Sequence, residues 1–234
     1  MEKNKGVLVV GGSKGLGKAI ASNYVLLGYK VFSLSRTPPT DLSGVIHIAD
    51  DFTKKGVAQK YLSEIQPAIL IISAATGLYK PVIELNEDEI DAVIVGTLTG
   101  SVHWISEAIS SMGSGAKIGW IASLTALLPN ANWSVYAACK AGVIQFIDSV
   151  RADALQRGIT ITTCFPGCLN TNFHINSNTI TPQSAVDPES ITPDLLSSIN
   201  RGDYIWAAPM DQKVVSEFSR VRLQLLTQFQ GALK

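Results

Sequence analysis

Residues 7–20 read VLVVGGSKGLGKAI, and this stretch decides the fold. Its first four residues are apolar and predict a buried strand, and the apolar spacing after them predicts a helix over residues 17–27. The turn between them has the spacing G-x-x-x-G-x-G, formed by Gly11, Gly15 and Gly17. Directly after a strand and directly before a helix, such a turn brings backbone N–H groups and a helix N-terminus to a phosphate. The stretch therefore predicts a nucleotide-binding site.

Strands and helices alternate along the rest of the chain. Five more apolar runs predict strands over residues 30–34, 45–48, 68–73, 117–122 and 160–164. Helices are predicted over residues 90–112, 135–157 and 193–198, and from residue 212 onward. The link RTPPTDLSG, residues 36–44, is too short and too rich in proline for a helix. Such alternation indicates a parallel sheet with helices on both faces, so we expect one α/β domain over residues 1–234, a Rossmann-type doubly wound sheet.

Composition and charge restrict the function classes. Of 234 residues, 46% are hydrophobic and 16% are charged, which fits one domain with a sizeable core. The formal net charge is zero, so neither nucleic acid nor an anionic membrane is an expected partner. The apolar run at residues 7–10 is too short for a signal peptide, and no later run is expected to span a membrane. The three cysteines fit neither a disulfide framework nor a zinc site, so we expect a cytoplasmic protein without a metal.

The end of the second predicted strand indicates which dinucleotide is bound. A site for NAD usually has an acidic residue there, which binds the ribose 2′-hydroxyl. This strand ends instead in Ser35 and Arg36, and a guanidinium can bind the oxygens of a 2′-phosphate in bidentate fashion. Lys14 in the glycine turn adds a second positive charge. We therefore expect NADP(H) as the cofactor.

A serine, a tyrosine and a lysine form the candidate catalytic group. Tyr136 and Lys140 are four residues apart in YAACK, so they share one face of the predicted helix. A lysine ammonium beside a phenol lowers the pKa of the phenol, which makes the tyrosine a usable general acid or base. Ser123 follows the fifth predicted strand, at the sheet edge where the nucleotide is expected. The sequence thus predicts proton-transfer chemistry next to the nucleotide.

In this order, and with PGCLNT at residues 166–171, these motifs resemble the short-chain dehydrogenase/reductase family over nearly the whole chain. The resemblance implies hydride transfer between a nicotinamide and a carbonyl or alcohol. Tyr136 would then exchange the proton, Ser123 would hold the substrate oxygen, and Lys140 would bind the nicotinamide ribose and tune Tyr136. The implied cofactor-binding residues are Gly11, Ser13, Lys14, Gly15, Leu16, Gly17, Ser35, Arg36, Asp51, Phe52, Ala74, Ala75, Thr76, Tyr136, Lys140, Pro166, Gly167, Leu169 and Thr171.

Four departures from the family pattern indicate a trimmed member. Val10 replaces the usual threonine before the glycine turn, and SAAT at residues 73–76 replaces an N-N-A-G sequence, which puts Thr76 where a glycine is usual. Thr97 aligns with an asparagine that anchors a water relay to the lysine in the family, so Thr97 is a further catalytic candidate. The short link after the second strand and the absent glycine-rich acidic ending are the other departures. Dihydropteridine reductase-like members are similarly trimmed, but they bind NADH through an acid where this chain has Arg36.

The expected function is that of an NADP(H)-dependent short-chain oxidoreductase, and two alternatives remain. One is a catalytically weak protein that senses NADP(H), which Thr76 and Thr97 favour and the intact Ser-Tyr-Lys set opposes. The other is a dihydropteridine reductase-like member. In the family the two long helices pair between subunits, so the resemblance implies a homodimer or homotetramer with a small carbonyl or alcohol as substrate.

The substrate side of the site is expected in the later part of the chain. A lid is expected over residues 172–210, and His174 within it is a candidate substrate contact. Apolar candidates for the pocket wall are Leu124, Leu128, Trp133, Phe173, Trp206 and Met210. Ordinary core or interface packing is the alternative for each of these apolar residues.

Overall fold

The protein folds around a parallel sheet, seen in a computed structural model that describes residues 6–209 and 211–232. The strands are β1 (Val7–Val10), β2 (Val31–Ser35), β3 (Val45–Ala49), β4 (Ile69–Ile72), β5 (Lys117–Ile121), β6 (Thr160–Phe165) and β7 (Ile205–Ala207). Their order in the sheet is β3-β2-β1-β4-β5-β6-β7, and all neighbours are parallel. The chain builds outward from β1 to β3 and then crosses to β4 on the other side of β1. The predicted Rossmann-type doubly wound fold is therefore confirmed.

Helices cover both faces of the sheet. They are α1 (Gly15–Leu26), α2 (Val57–Ile65), α3 (Glu87–Val93), α4 (Gly100–Ser111), α5 (Ser134–Gln156), α6 (Phe173–Asn176), α7 (Pro188–Arg201) and α8 (Gln212–Ala232). A π-helical segment, Ile94–Thr99, joins α3 to α4, so the single helix predicted over residues 90–112 has a local irregularity in its middle.

Most predicted elements are confirmed, and three were missed, one of them the four-residue helix α6. Each of the six predicted strands lies within one residue of its observed ends, and the link between β2 and β3 contains no helix. Sequence patterns did not predict α2, whose buried face is carried by only four residues, or β7, which has only three. The helix predicted over residues 193–198 extends over all of α7, because Pro188 occupies its first turn and Pro193 is tolerated inside it.

The core lies on both sides of β1, whose four residues are completely buried. Val7 and Val9 pack in the cluster that contains residues of α1 and α7, and Leu8 and Val10 pack in the cluster that contains residues of α4 and α5. Successive side chains of a strand point to opposite faces, so a continuous apolar run is what a strand buried on both faces requires.

The continuous helical stretch Glu87–Ser111 is long and apolar enough, by composition alone, to span a membrane, which differs from the expectation that no run would qualify. In this fold it is a core helix. Of its most apolar window, 44% is buried inside the protein, and Trp104 and Ile105 are completely buried.

The carboxyl ends of the strands bring the predicted motifs together. The glycine turn follows β1, Arg36 follows β2, Asp51 follows β3, and Ser123 and Pro166 follow β5 and β6. Ligands of open α/β sheets bind at this edge, where the strand order reverses between β1 and β4. The fold therefore brings the predicted site residues together at the carboxyl edge of the sheet.

Candidate active site

A cavity of 1390 Å³ opens at this edge of the sheet, and most of the predicted site residues line it. The lining residues that the sequence predicted are Gly11, Ser13, Lys14, Gly15, Leu16, Ser35, Arg36, Asp51, Phe52, Ala74, Ala75, Thr76, Ser123, Tyr136, Lys140, Pro166, Gly167, Leu169 and Thr171. Of the predicted cofactor-binding and catalytic residues, Gly17 and Thr97 are not in the wall. Gly17 packs on the backbone of the glycine turn, and Thr97 is bound to the backbone of Thr76, as described below.

Glycine is required in the turn after β1. Gly11 has φ +85°, and a Cβ there would lie 2.6 Å from the backbone nitrogen of Ala74. A Cβ on Gly17 would collide with the carbonyl oxygen of Gly11, so this glycine lets the start of α1 pack directly on the turn. The residue before the helix, Lys14, makes no side-chain cap, and the first N–H groups of α1 are left for a ligand.

Positive charge lies at the rim near the ends of β1 and β2. Lys14 and Arg36 both line the cavity and both are exposed. Burial alone would raise the pKa of Asp51, but the backbone N–H and hydroxyl of Thr53, at 3.0 and 2.7 Å, and the charge of Arg36 hold that pKa below its usual value. This part of the cavity wall therefore has the cations Lys14 and Arg36 and the carboxylates of Asp50 and Asp51.

Phe52 and Thr76 shape the part of the cavity between these charges and the sheet. The Phe52 ring packs on Gly100, and the indole N–H of Trp104 donates to the Phe52 carbonyl at 2.9 Å. The side chain of Thr76 packs against Gly96 in the π-helical segment. Because Gly96 has no side chain, it leaves room for Thr76, which stands where the family usually has a glycine.

Thr97 is bound to the backbone of Thr76. Its hydroxyl donates to the Thr76 carbonyl at 2.8 Å and accepts the Thr76 N–H at 3.1 Å, and the side chain is completely buried. The only proton of the hydroxyl is therefore given to a backbone carbonyl. A role in proton relay stays a prediction, because the cavity does not reach the Thr97 side chain in this conformation.

Ser123, Tyr136 and Lys140 meet at the floor of the cavity. Ser123 follows β5 and caps a short 3₁₀ turn, and its oxygen accepts the Thr125 hydroxyl at 2.9 Å. Tyr136 and Lys140 lie one turn apart on α5. The Lys140 Nζ donates to the carbonyl of Ile121 at 2.5 Å and lies 5.6 Å from the centroid of the Tyr136 ring. The predicted grouping of these three side chains is observed.

Burial dominates the electrostatics of this group. It lowers the pKa of Lys140 to about 7. It raises the pKa of the Tyr136 phenol above its usual value, although the Ser123 hydroxyl acts in the opposite direction. The direction of the Tyr136 pKa shift differs from the sequence-based expectation, because desolvation of the phenol outweighs its hydrogen bond with Ser123.

An aromatic wall stands beside the catalytic group. Trp133 stacks on Phe173 with centroids 5.8 Å apart, and it also packs against Tyr79 and Tyr136 at 5.5 and 5.2 Å. Trp133, Phe173 and the predicted Leu124 all line the cavity. The wall gives the substrate region an apolar side.

Other predicted wall residues lie elsewhere. Leu128 is half exposed and outside the cavity, and Trp206 donates its indole N–H to Asp194 at 2.8 Å rather than facing the cavity. Met210 lies outside the described residues. The positions of Leu128 and Trp206 agree with the packing alternative.

The segment expected to form a lid has two parts. Several residues between 172 and 184, including the candidate contact His174, line the cavity. Residues 188–201 form α7, which packs on α1, and residues 205–207 form β7 of the sheet. Position 210 lies outside the described residues. The lid over residues 172–210 stays a prediction, and residues between 172 and 184 are the part of it that lines the cavity.

Many lining residues had not been assigned to the site from the sequence, and three of them bear on its chemistry. Tyr79 belongs to the aromatic wall, Cys168 lies inside the PGCLNT stretch, and Asp211 directly precedes α8. The motif around Cys168 was a usable signal for that residue. For Asp211 there was none, since β7, which carries the chain to this position, was not predicted.

Among the residues that the structure describes, no three His, Cys, Asp or Glu side chains are grouped so that they could hold a metal ion. Cys139, Cys164 and Cys168 are all free thiols.

Comparison with known proteins places this site in a family context. The sequence pattern described as "short chain dehydrogenase" matches residues 5–181. A cyclic-di-GMP-binding biofilm dispersal mediator protein of Escherichia coli (strain K12) is 28% identical over 176 residues, which are 72% of this chain and 74% of that protein. The 3-oxoacyl-[acyl-carrier-protein] reductase FabG of Salmonella typhimurium is 28% identical over 186 residues, 73% of this chain and 76% of that protein.

Solved structures show the same fold. BdcA in complex with NADPH has a TM-score of 0.77 and 23% identity, and the match covers 87% of this chain and 91% of BdcA. A short chain dehydrogenase from Burkholderia cenocepacia J2315 in complex with NADP has a TM-score of 0.78 and 19% identity, with 97% and 98% covered. Both support the sheet topology described above.

Proposed function

The chain belongs to the short-chain dehydrogenase family, and on that premise we propose that it is an NADP(H)-dependent oxidoreductase acting on a carbonyl or alcohol. The observation that carries the proposal is the meeting of Ser123, Tyr136 and Lys140 in the cavity that the glycine turn also lines. A nucleotide site and a proton-transfer group within one cavity are what hydride transfer to a carbonyl requires.

The cavity wall fits the cofactor. The turn at Gly11 and the start of α1 would hold the pyrophosphate, and the space that a Cβ on Gly11 would fill lets Ala74 approach the turn closely. Asp51 and Phe52 would meet the adenine, and Thr171, beside Gly15, would hold the nicotinamide half. When bound, the cofactor supplies or accepts the hydride.

Lys14 and Arg36 support NADP(H) over NAD(H). Both cations line the cavity, Lys14 in the glycine turn after β1 and Arg36 directly after β2, where an acidic residue would be needed for an unphosphorylated ribose. The same residues disfavour a dihydropteridine reductase-like member that binds NADH through an acid. BdcA and the Burkholderia dehydrogenase were solved with NADPH and NADP, which agrees with this assignment.

The chain's own residues would then move the proton. Ser123 would orient the substrate oxygen, and Tyr136 would give its proton to the alkoxide or take it from the alcohol. Lys140, held at the Ile121 carbonyl, would bind ribose hydroxyls and in its charged form favour the phenolate. Since burial raises the pKa of Tyr136, this group is a proton donor at neutral pH.

The test is oxidation of NADPH at 340 nm with a panel of ketones, aldehydes and quinones, run beside NADH. Tyr136→Phe should lose turnover by about 100-fold or more while its dissociation constant for NADPH stays within about twofold of wild type. Turnover near wild type in this variant would assign the proton transfer to another group.

A second candidate function is that of a binding or regulatory protein on the same fold. The E. coli relative, whose name describes cyclic-di-GMP binding and biofilm dispersal, favours it. Tight NADPH binding without turnover of any panel member, together with binding of cyclic di-GMP measured by calorimetry, would support this candidate over the enzyme. Turnover that depends on Tyr136 would reject it.

Compartment and assembly are part of the proposal. Three free cysteines suit a reducing cytoplasm. Family members assemble through the long helices that correspond to α4 and α5, so we expect a homodimer or homotetramer, which light scattering of the purified protein would measure.

A further inference from the structure

Three polar side chains in the cavity wall play no part in the proton transfer proposed above. Cys168 follows the Pro-Gly pair after β6, His174 lies in α6, and Asp211 directly precedes α8. The Sγ atom of Cys168 lies 3.4 Å from Nε2 of His174. Burial, and after it the charge of Asp211, raise the pKa of the Cys168 thiol, so the carboxyl and the thiol are neighbours. We call these three residues the polar corner.

Asp211 has an unused hydrogen-bond acceptor. Asp211 is 4% exposed, and the backbone N–H of Gly167 acts to lower the pKa of its carboxyl group, which burial raises. Its oxygen Oδ2 is enclosed and has no hydrogen-bond partner among the described residues. Buried polar atoms are nearly always paired, and leaving one unpaired destabilises a protein. Asp211 lines the cavity, so a group that enters the cavity is the donor available to this carboxyl.

The polar corner lies next to the place of the substrate oxygen. Strands β5, β6 and β7 are neighbours in the sheet, so the segments after them emerge side by side. The N–H of Ala122, just before Ser123, donates to Cys164 at 2.7 Å, and the N–H of Ala208 donates to Phe165 at 2.8 Å. A molecule held at Ser123 therefore has the segments of Cys168 and Asp211 beside it, on the β6 and β7 side.

We propose that the polar corner is a subsite for a hydroxyl group of the substrate, so that a hydroxylated carbonyl compound is preferred over the same compound without the hydroxyl. This inference rests on the proposed oxidoreductase function. The substrate hydroxyl donates a hydrogen bond to Oδ2 of Asp211, and Cys168 and His174 line the space around it. A hydroxyl donates one hydrogen bond, which is what the single unpaired acceptor Oδ2 requires.

The experiment compares 2-hydroxycyclohexanone with cyclohexanone as substrates for wild type, Asp211→Asn and the control Asp153→Asn. Asparagine keeps the size of the side chain but places an N–H₂ donor where Oδ2 stands. Asp153 is exposed on α5 and outside the cavity. Wild type should prefer the hydroxyketone in kcat/KM, and Asp211→Asn should lower that preference on the order of ten- to a hundredfold, with the control unchanged.

The carboxamide N–H₂ of the nicotinamide is the other donor that could reach Oδ2, and titration of each variant with NADPH separates the two sources. An unchanged dissociation constant for NADPH together with a reduced hydroxyketone preference supports the substrate subsite. A weakened NADPH affinity with an unchanged preference overturns it and assigns Oδ2 to the cofactor. An unchanged preference with unchanged NADPH affinity also overturns it.

A binding measurement tests the subsite independently of the proposed oxidoreductase activity. In Tyr136→Phe with NADP⁺ bound, quenching of tryptophan fluorescence should report tighter binding of cyclohexane-1,2-diol than of cyclohexanol, even if wild type turns over neither ketone. Absence of turnover then counts against the proposed function, and equal binding of the two alcohols counts against the subsite. Should Asp211→Asn fail to fold, Cys168→Met, which fills the corner with an apolar chain, should also lower the preference. An unchanged preference in that variant contradicts the subsite.

Discussion

Replacement of Arg36 and Lys14 tests the assignment of NADP(H) most directly. Both side chains are exposed at the rim of the cavity, at the ends of β2 and the glycine turn, where the 2′-phosphate is expected. A hydrogen bond to a charged group contributes about 1.5–3 kcal/mol when protected from water. Exposure and salt screening reduce this to about 1–2 kcal/mol for each side chain.

These values give a measurable change in cofactor preference. Arg36→Ala should weaken NADPH binding by about 5- to 30-fold, and the double variant with Lys14→Ala by about 30- to 1000-fold. NADH lacks the 2′-phosphate, so its affinity should change by less than about twofold. Fluorescence titration of both cofactors at low and high salt gives the four constants, and the preference of wild type for NADPH should shrink as salt rises.

The control is Lys30→Ala, at the opposite end of the same strand, where the lysine lies over the Phe32 ring away from the cavity. It should leave the affinities for both cofactors unchanged. If Arg36→Ala weakens NADPH and NADH equally, the guanidinium supports the shape of the site and does not bind the 2′-phosphate. That result would refute the reasoning.

Three further predictions concern packing and buried charge. Gly17→Ala should lower NADPH affinity by at least about tenfold and reduce the melting temperature, because the added Cβ collides with a backbone carbonyl. The control Gly113→Ala, where a Cβ meets no atom within 4 Å, should change neither the affinity nor the melting temperature. Thr97→Val should reduce the free energy of unfolding, measured in urea, by about 1–3 kcal/mol, because the hydrogen bonds to Thr76 are lost. Thr97→Ser keeps the hydroxyl and should keep the stability of the wild type. Full stability in the valine variant would contradict a structural role for the Thr97 hydroxyl. Burial lowers the pKa of Lys140 from 10.5 to about 7, so the unfolded chain binds more protons than the folded one between these values, and stability should rise with pH from 7 to 9. In denaturant titrations, Lys140→Met should show no rise of stability with pH from 7 to 9, and its free energy of unfolding at pH 7 should be higher by on the order of 3 kcal/mol. If the variant shows the same dependence of stability on pH as wild type, the buried Lys140 is not its cause.

Much of the fold and site follows from short-range patterns. The strand at residues 7–10, the glycine turn and the helix after it are adjacent in sequence, and their geometry depends on φ angles and steric space that glycine alone provides. Tyr136 and Lys140 share a helix face because of their spacing, whatever the helix packs against. The fold class follows from the alternation of strands and helices, since parallel strands require crossover connections.

Sequence alone determined the fold class, the glycine turn and the pairing of Tyr136 with Lys140, because each depends on residues within about one turn or one strand of each other. Tertiary structure decided the rest. Thr97 bonds to Thr76 across 21 positions of sequence, and Asp211 enters the cavity only because β7, a three-residue strand, is recruited by β6. Burial reversed the expected pKa shift of Tyr136. Desolvation and long-range pairing depend on what surrounds a side chain in three dimensions, and local sequence patterns do not contain that information.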